Sequence, residues 1–164
     1  MIHIYYGDGK GKTTSAVGLS VRAAGHGYKV LFMQFLKDDS SGEIKTMMNI
    51  PEIDVVHCPV NYGFTFQMTE KQKKETAEEY NNMLDTAIAS DAFLIVLDEV
   101  IHALNAGMID ENKLKTILYK DCEIILTGWN APEWLIDQAD YVSEIRKIKH
   151  PYDHGIQARN GIEL

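Results

Sequence analysis

The sequence predicts a three-layer α/β fold, a mostly parallel sheet with helices on both faces, and three observations predict it. Short apolar runs of strand type alternate with stretches of helical period. The first run ends in a glycine-rich loop that opens a helix, and a later one ends in two consecutive carboxylates, Asp98 and Glu99. At 164 residues the chain suits one domain, residues 1–164.

The elements follow in order. Residues 2–6 are a β-type run broken by Gly7-Asp8-Gly9-Lys10-Gly11. From Thr13 to Ala24 the apolar residues Ala16, Val17, Leu19, Ala23 and Ala24 recur at helical spacing, and Gly25-His26-Gly27 supplies the stop. Residues 29–35 are nearly continuous apolar, as in a strand covered on both faces. Residues 38–68 are irregular: a short helix through Met47, a weak strand at 53–57, and a long functional loop carrying Tyr62, Phe64 and Phe66. Thr69 opens a helix with Gln72 three positions on, a capping-box pattern, and Ala77, Tyr80, Leu84, Ala87 and Ile88 mark its buried face to about Ser90. Residues 93–97 form a buried strand, a helix runs from Val100 to Gly107, and Asp110 caps another over 111–119. A strand at 123–126, a short helix at 132–138 and a strand at 141–145 complete the pattern. Right-handed crossovers then nearly fix the topology. Met33, Met47 and Met48 are expected in the core.

Sixteen Lys and Arg against 24 Asp and Glu give a net charge of −8. That balance argues against a broad nucleic-acid or anionic-membrane surface. Its distribution is more informative. Residues 1–37 hold Lys10, Lys12, Arg22, Lys29 and Lys37 against Asp8 alone, a net +4, and residues 141–159 are again positive at +2. If those segments meet at the sheet's C-terminal edge, an acidic protein presents one cationic pocket. Cys58 and Cys122 lie 64 positions apart with no Cys-x-x-Cys spacing, so both read as reduced, buried thiols. The start has no signal-peptide pattern and no apolar run reaches the ~20 residues of a membrane span. The expectation is a cytoplasmic protein.

Gly7-Asp8-Gly9-Lys10-Gly11-Lys12-Thr13-Thr14 is the strongest chemical signal. Glycines allow backbone amides to face phosphate oxygens, the following helix offers its positive end, Lys12 reaches phosphates and Thr13 can ligate Mg²⁺. A plain glycine turn explains neither the two lysines nor the threonines. The loop is one residue shorter than the usual pattern, which asks for glycine where Tyr6 stands. Asp98-Glu99 places two carboxylates at the C-terminal edge of a parallel sheet, where ligands of open α/β sheets bind, and one of them would hold magnesium. The two motifs together indicate a P-loop NTPase-like (RecA-like) fold. The chain has no Asn-Lys-x-Asp guanine reader.

Further runs occur in order: Arg22-Ala23-Ala24-Gly25-His26-Gly27, Gln34-Phe35-Leu36-Lys37, Gly63-Phe64-Thr65-Phe66, Val96-Leu97-Asp98-Glu99, Thr127-Gly128, Ala139-Asp140-Tyr141-Val142-Ser143-Glu144 and Lys149-His150-Pro151-Tyr152-Asp153. With the glycine loop they resemble the P-loop type of ATP:corrinoid (cob(I)alamin) adenosyltransferases, from residue 1 to the closing Gly161-Ile162-Glu163. The short glycine loop is that family's form.

The resemblance implies that a Co(I) corrinoid attacks C5′ of ATP, the triphosphate leaves and a cobalt–carbon bond forms. ATP is expected to bind reversed relative to other P-loop proteins. Gly7, Asp8, Gly9, Lys10, Gly11, Lys12, Thr13 and Thr14 are then the nucleotide-binding residues, and Lys10, Lys12, Thr13 and Glu99 the catalytic ones. Thr13 and Glu99 would ligate Mg²⁺ with Asp98 behind them, and Phe64 and Phe66 would pack under the corrin. The resemblance further implies a homodimer and a flavoprotein reductant. Phe66 stands where the family has tryptophan, and Trp129 where it commonly has arginine, for which Arg146, Lys147 or Lys149 could compensate. The family often carries an extension ahead of the first strand, which here starts at residue 2. His150 and His154 are four apart, but Pro151 breaks a shared helical face. A small ATPase or kinase, or a corrinoid or nucleotide sensor without turnover, uses the same residues.

Overall fold

The computed structural model describes residues 1–37, 41–60, 62–63 and 68–162. Its centre is a six-stranded sheet of β1 (Ile2–Tyr6), β2 (Val30–Gln34), β3 (Ile53–His57), β4 (Leu94–Asp98), β5 (Glu123–Gly128) and β6 (Tyr141–Glu144). The spatial order is β3-β2-β4-β5-β1-β6 and every pairing is parallel. The expected "mostly parallel" sheet is therefore wholly so. Strands β2 and β4 lie centrally and are buried at all five positions, which is why Val-Leu-Phe-Met-Gln and Leu-Ile-Val-Leu-Asp read as continuous runs.

The helices are α1 (Lys12–Gly25), α2 (Gly42–Met47), α3 (Glu70–Ala89), α4 (Val100–Asn105), α5 (Glu111–Leu118) and α6 (Glu133–Asp137). Helices α1 and α2 cover one face, where Ala16, Ala23, Ile44 and Met47 meet Val30, Phe32, Val96 and Ile125. On the other face, Tyr80 and Leu84 of α3, Ile101 of α4, Leu114 and Ile117 of α5 and Leu135 of α6 pack on Ile4, Met33, Ile95 and Leu97. The capping box forms as the Thr69 and Gln72 spacing requires, and Asp110 caps α5. Among the described residues no helix is long and apolar enough to cross a membrane.

β6 is exposed along its length, with Tyr141 51% and Val142 42% accessible, because it is the sheet's edge. Two expectations need correction. Met48 lies on the outer side of the α2 end and is exposed, whereas Met33 and Met47 are in the core. Cys58 and Cys122 are free but only half-buried.

Candidate active site

The glycine loop joins β1 to α1 at the sheet's C-terminal edge, and the residues after β6 hold it in shape. Ile145 donates its N–H to the Tyr6 carbonyl at 2.8 Å, and Gly9 donates its N–H to the Ile145 carbonyl at 2.8 Å. Lys147 donates its N–H to Asp8 Oδ1 at 2.9 Å, and that bond is the main reason the Asp8 carboxyl is held below its ordinary pKa. A Cβ on Gly7 would run into the Ile145 carbonyl, and one on Gly9 would come within 2.8 Å of Arg146 and Ile145 backbone atoms. These two glycines serve a close backbone approach. The N–H groups of Gly7 and Gly9 are committed to the carbonyls of Gly128 and Ile145 rather than turned inward.

The first turn of α1, whose leading N–H groups have no intrahelical acceptor, faces a cavity of about 250 Å³. Residues 8–14, Glu99 and His150 line it. A larger cavity of about 860 Å³ lies alongside, sharing Lys10, Gly11, Thr13 and Thr14 and walled by α2 and Ile162. The two positive segments of the sequence thus meet at this edge.

Lys12 is only 8% exposed; its Nζ donates to the Gly9 carbonyl at 3.0 Å and stands 5.7 Å from the Trp129 ring centroid. Burial lowers its pKa, and Glu99 and Asp98 oppose that shift. Trp129 therefore lies beside the lysine as a cation–π partner. Lys10 donates to the Ile162 carbonyl, tying the C-terminal segment to the loop.

Asp98 is fully buried and its carboxylate is surrounded by donors. Thr127 Oγ1 donates to Oδ1 at 2.6 Å, Thr13 Oγ1 to Oδ1 at 2.9 Å, Gln34 Nε2 to Oδ2 at 3.1 Å and Lys37 Nζ to Oδ2 at 3.0 Å. Lys37 Nζ also donates to Thr13 Oγ1 at 2.8 Å. The ammonium is a stand-in cation on two of the oxygens expected near magnesium. Gln34 Oε1, beside them, is a buried acceptor with no partner among the described residues. This oxygen-rich set fits a hard divalent ion.

Glu99 caps α4 with a left-handed backbone, φ 61°, unusual for a residue with a Cβ, and its N–H donates to Thr127 Oγ1 at 2.8 Å. Burial, then the Asp98 charge, raises its pKa above the ordinary 4.5. A raised carboxyl pKa makes the folded state hold its proton to higher pH, so stability falls as pH rises above 4.5 toward the folded value. Glu99→Gln is therefore expected to match the native protein in urea midpoint at pH 4 and to exceed it at pH 8, without added metal. Equal midpoints at pH 8 would mean that burial does not penalise this carboxylate.

Of the other expected residues, Phe64 and Phe66 lie outside the described residues. Arg146 pairs with Glu144 and Lys147 with Asp153, and neither lines the two cavities. His150 accepts the Tyr152 N–H through Nδ1, capping a 3₁₀ turn at Pro151–His154, and lines the smaller cavity. Among the described residues no group of three or more His, Cys, Asp or Glu is placed to hold a metal. Sequence reasoning gave no role to Gln34, Lys37 or Thr127. Their signals were membership of the runs Gln34-Phe35-Leu36-Lys37 and Thr127-Gly128 and position, each at or just past the C-terminal end of a strand beside Asp98.

The family model for ATP:corrinoid adenosyltransferase BtuR/CobO/CobP matches residues 1–164. A corrinoid adenosyltransferase of Pseudomonas aeruginosa is 33% identical over 98% of this chain and 82% of its own length. The corrinoid adenosyltransferase CobA of Salmonella typhimurium is 32% identical over 99% and 85%. The corrinoid adenosyltransferase of Escherichia coli K12 is 26% identical over 99% and 85%. A match over the full chain and a third of positions shared with a relative covered this completely lead to one conclusion: the chain belongs to the ATP:corrinoid adenosyltransferase family.

Proposed function

We propose that this protein transfers the 5′-deoxyadenosyl group of ATP to the Co(I) centre of a corrinoid. The cobalt electron pair forms the bond to C5′, the C5′–O bond breaks, and triphosphate leaves with its electrons. The observation that carries the reading is the meeting of Lys12, Thr13, Lys37, Asp98 and Glu99 at one sheet edge, in a chain of this family.

Co(I) needs no general base, so the residues work by positioning and by stabilising a leaving group that gathers negative charge. Lys12 and the start of α1 face the triphosphate in the 250 Å³ cavity. Their preorganisation comes from the Ile145 and Lys147 contacts, and Lys12 is kept in place by Gly9 and Trp129. Lys10 and Thr14 extend that surface into the 860 Å³ cavity, which has room for the rest of the nucleotide. Thr13 and Glu99 would hold Mg²⁺ with Asp98 orienting Thr13, and the ion supplies further charge neutralisation on the triphosphate. Phe64 and Phe66 are assigned to the corrin's lower face, residues 1–164 to one catalytic domain, and the working form to a cytoplasmic homodimer served by a flavoprotein reductant.

Incubation with MgATP and chemically reduced cobalamin is expected to give triphosphate and an adenosylcorrinoid spectrum. ADP with phosphate would replace this reading by an ATPase or kinase. Binding of both ligands with no product would make the protein a sensor.

A further inference from the structure

We propose that Lys37 is a built-in counter-cation of the Thr13 and Asp98 oxygens that competes with the divalent ion for Thr13 Oγ1; this rests on the magnesium site proposed above. Its Nζ lies 2.8 Å from Thr13 Oγ1 and 3.0 Å from Asp98 Oδ2, bridging the two. A divalent ion on Thr13 Oγ1, with its ligands at about 2.0–2.1 Å, would crowd an ammonium held 2.8 Å from the same oxygen. The two cations exclude one another.

The placement of the ammonium is enforced by the chain. Leu36 has φ 56°, a left-handed conformation that costs a residue with a Cβ. Its N–H donates to the hydroxyl of Tyr80 at 2.8 Å, and Tyr80 is buried on α3. Phe35 donates its N–H to the Asp98 carbonyl at 2.9 Å. The strand end is thereby pinned on both sides, and the turn at Leu36 sends Lys37 back over Asp98. The side chain of Lys37 is 31% exposed and ends in a strongly hydrated ammonium on a four-carbon stem, so it can withdraw to solvent. Asp98 cannot follow it, because Thr127 and Gln34 fix the carboxylate. Lys37 compensates the buried charge while the ion is away.

The test is Mn²⁺ binding to the nucleotide-free full-length protein, read from the electron paramagnetic resonance of free Mn²⁺. Lys37→Met is expected to bind Mn²⁺ about tenfold tighter than the native protein, because one positive charge has left the site. Lys37→Arg, which keeps the charge, is expected to stay within about twofold. Lys37→Gln, with a neutral donor for Asp98, makes the same comparison should the methionine variant not fold. No tightening in the neutral variants, or equal tightening in Lys37→Arg, overturns the proposal. A native protein that makes no adenosylcorrinoid would instead remove the transferase reading and leave the manganese comparison standing.

Discussion

Lys12→Ala is expected to lower kcat/KM for ATP by roughly a hundred- to a thousandfold, the loss found when one preorganised donor to a developing negative charge is removed. The side chain is 8% exposed and its ammonium is already desolvated, so it interacts with an anion more strongly than a surface lysine would. Its only protein acceptor among the described residues is the Gly9 carbonyl, and Trp129 flanks it. Deleting it therefore leaves one carbonyl to rehydrate and no buried charge without a partner, so the fold persists. Steady-state formation of adenosylcobalamin, with circular dichroism as the control for folding, checks this. Undiminished turnover would mean that triphosphate does not bind at the glycine loop.

Asp98→Asn is expected to have the larger effect on stability, about 2–4 kcal/mol. The carboxylate accepts from four side chains, and asparagine offers one oxygen in place of two. Placed toward Gln34 and Lys37, its NH₂ faces the Lys37 ammonium, and only a turned-over Gln34 amide offers it an oxygen. Placed toward Thr13 and Thr127 it can use their hydroxyls, but Lys37 still loses its counter-charge. Urea unfolding should show the loss as a lower midpoint with an unchanged m-value. A loss below about 1 kcal/mol would mean that the carboxylate's net contribution is small, as it is for many ion pairs whose desolvation offsets their attraction.

Most of the fold was legible because a parallel strand buried on both faces leaves an unmistakable run, as in residues 94–97. Helix starts at Thr69 and Asp110 were equally legible, since capping is chemistry between residues two or three apart. The edge position of β6 was not legible, because Tyr141 and Val142 are apolar and composition does not say which strand becomes the edge. In the site, the loop and the Asp98-Glu99 pair could be read, while Lys37 could not. Its position depends on a backbone angle at Leu36 stabilised by Tyr80, 44 residues away. The inward-facing amides expected at Gly7 and Gly9 were likewise redirected by contacts from beyond residue 127.

Those contacts also bear on the order in which the molecule becomes competent. Asp8 meets Lys147 across 139 positions and Lys10 meets Ile162 across 152, separations that make these among the slowest contacts to close. A growing chain carries its glycines from the outset but has nothing to shape them until β6 has docked on β1 and residues 145–147 have followed. Nascent or C-terminally clipped chains consequently hold the glycine motif without the contacts that shape it.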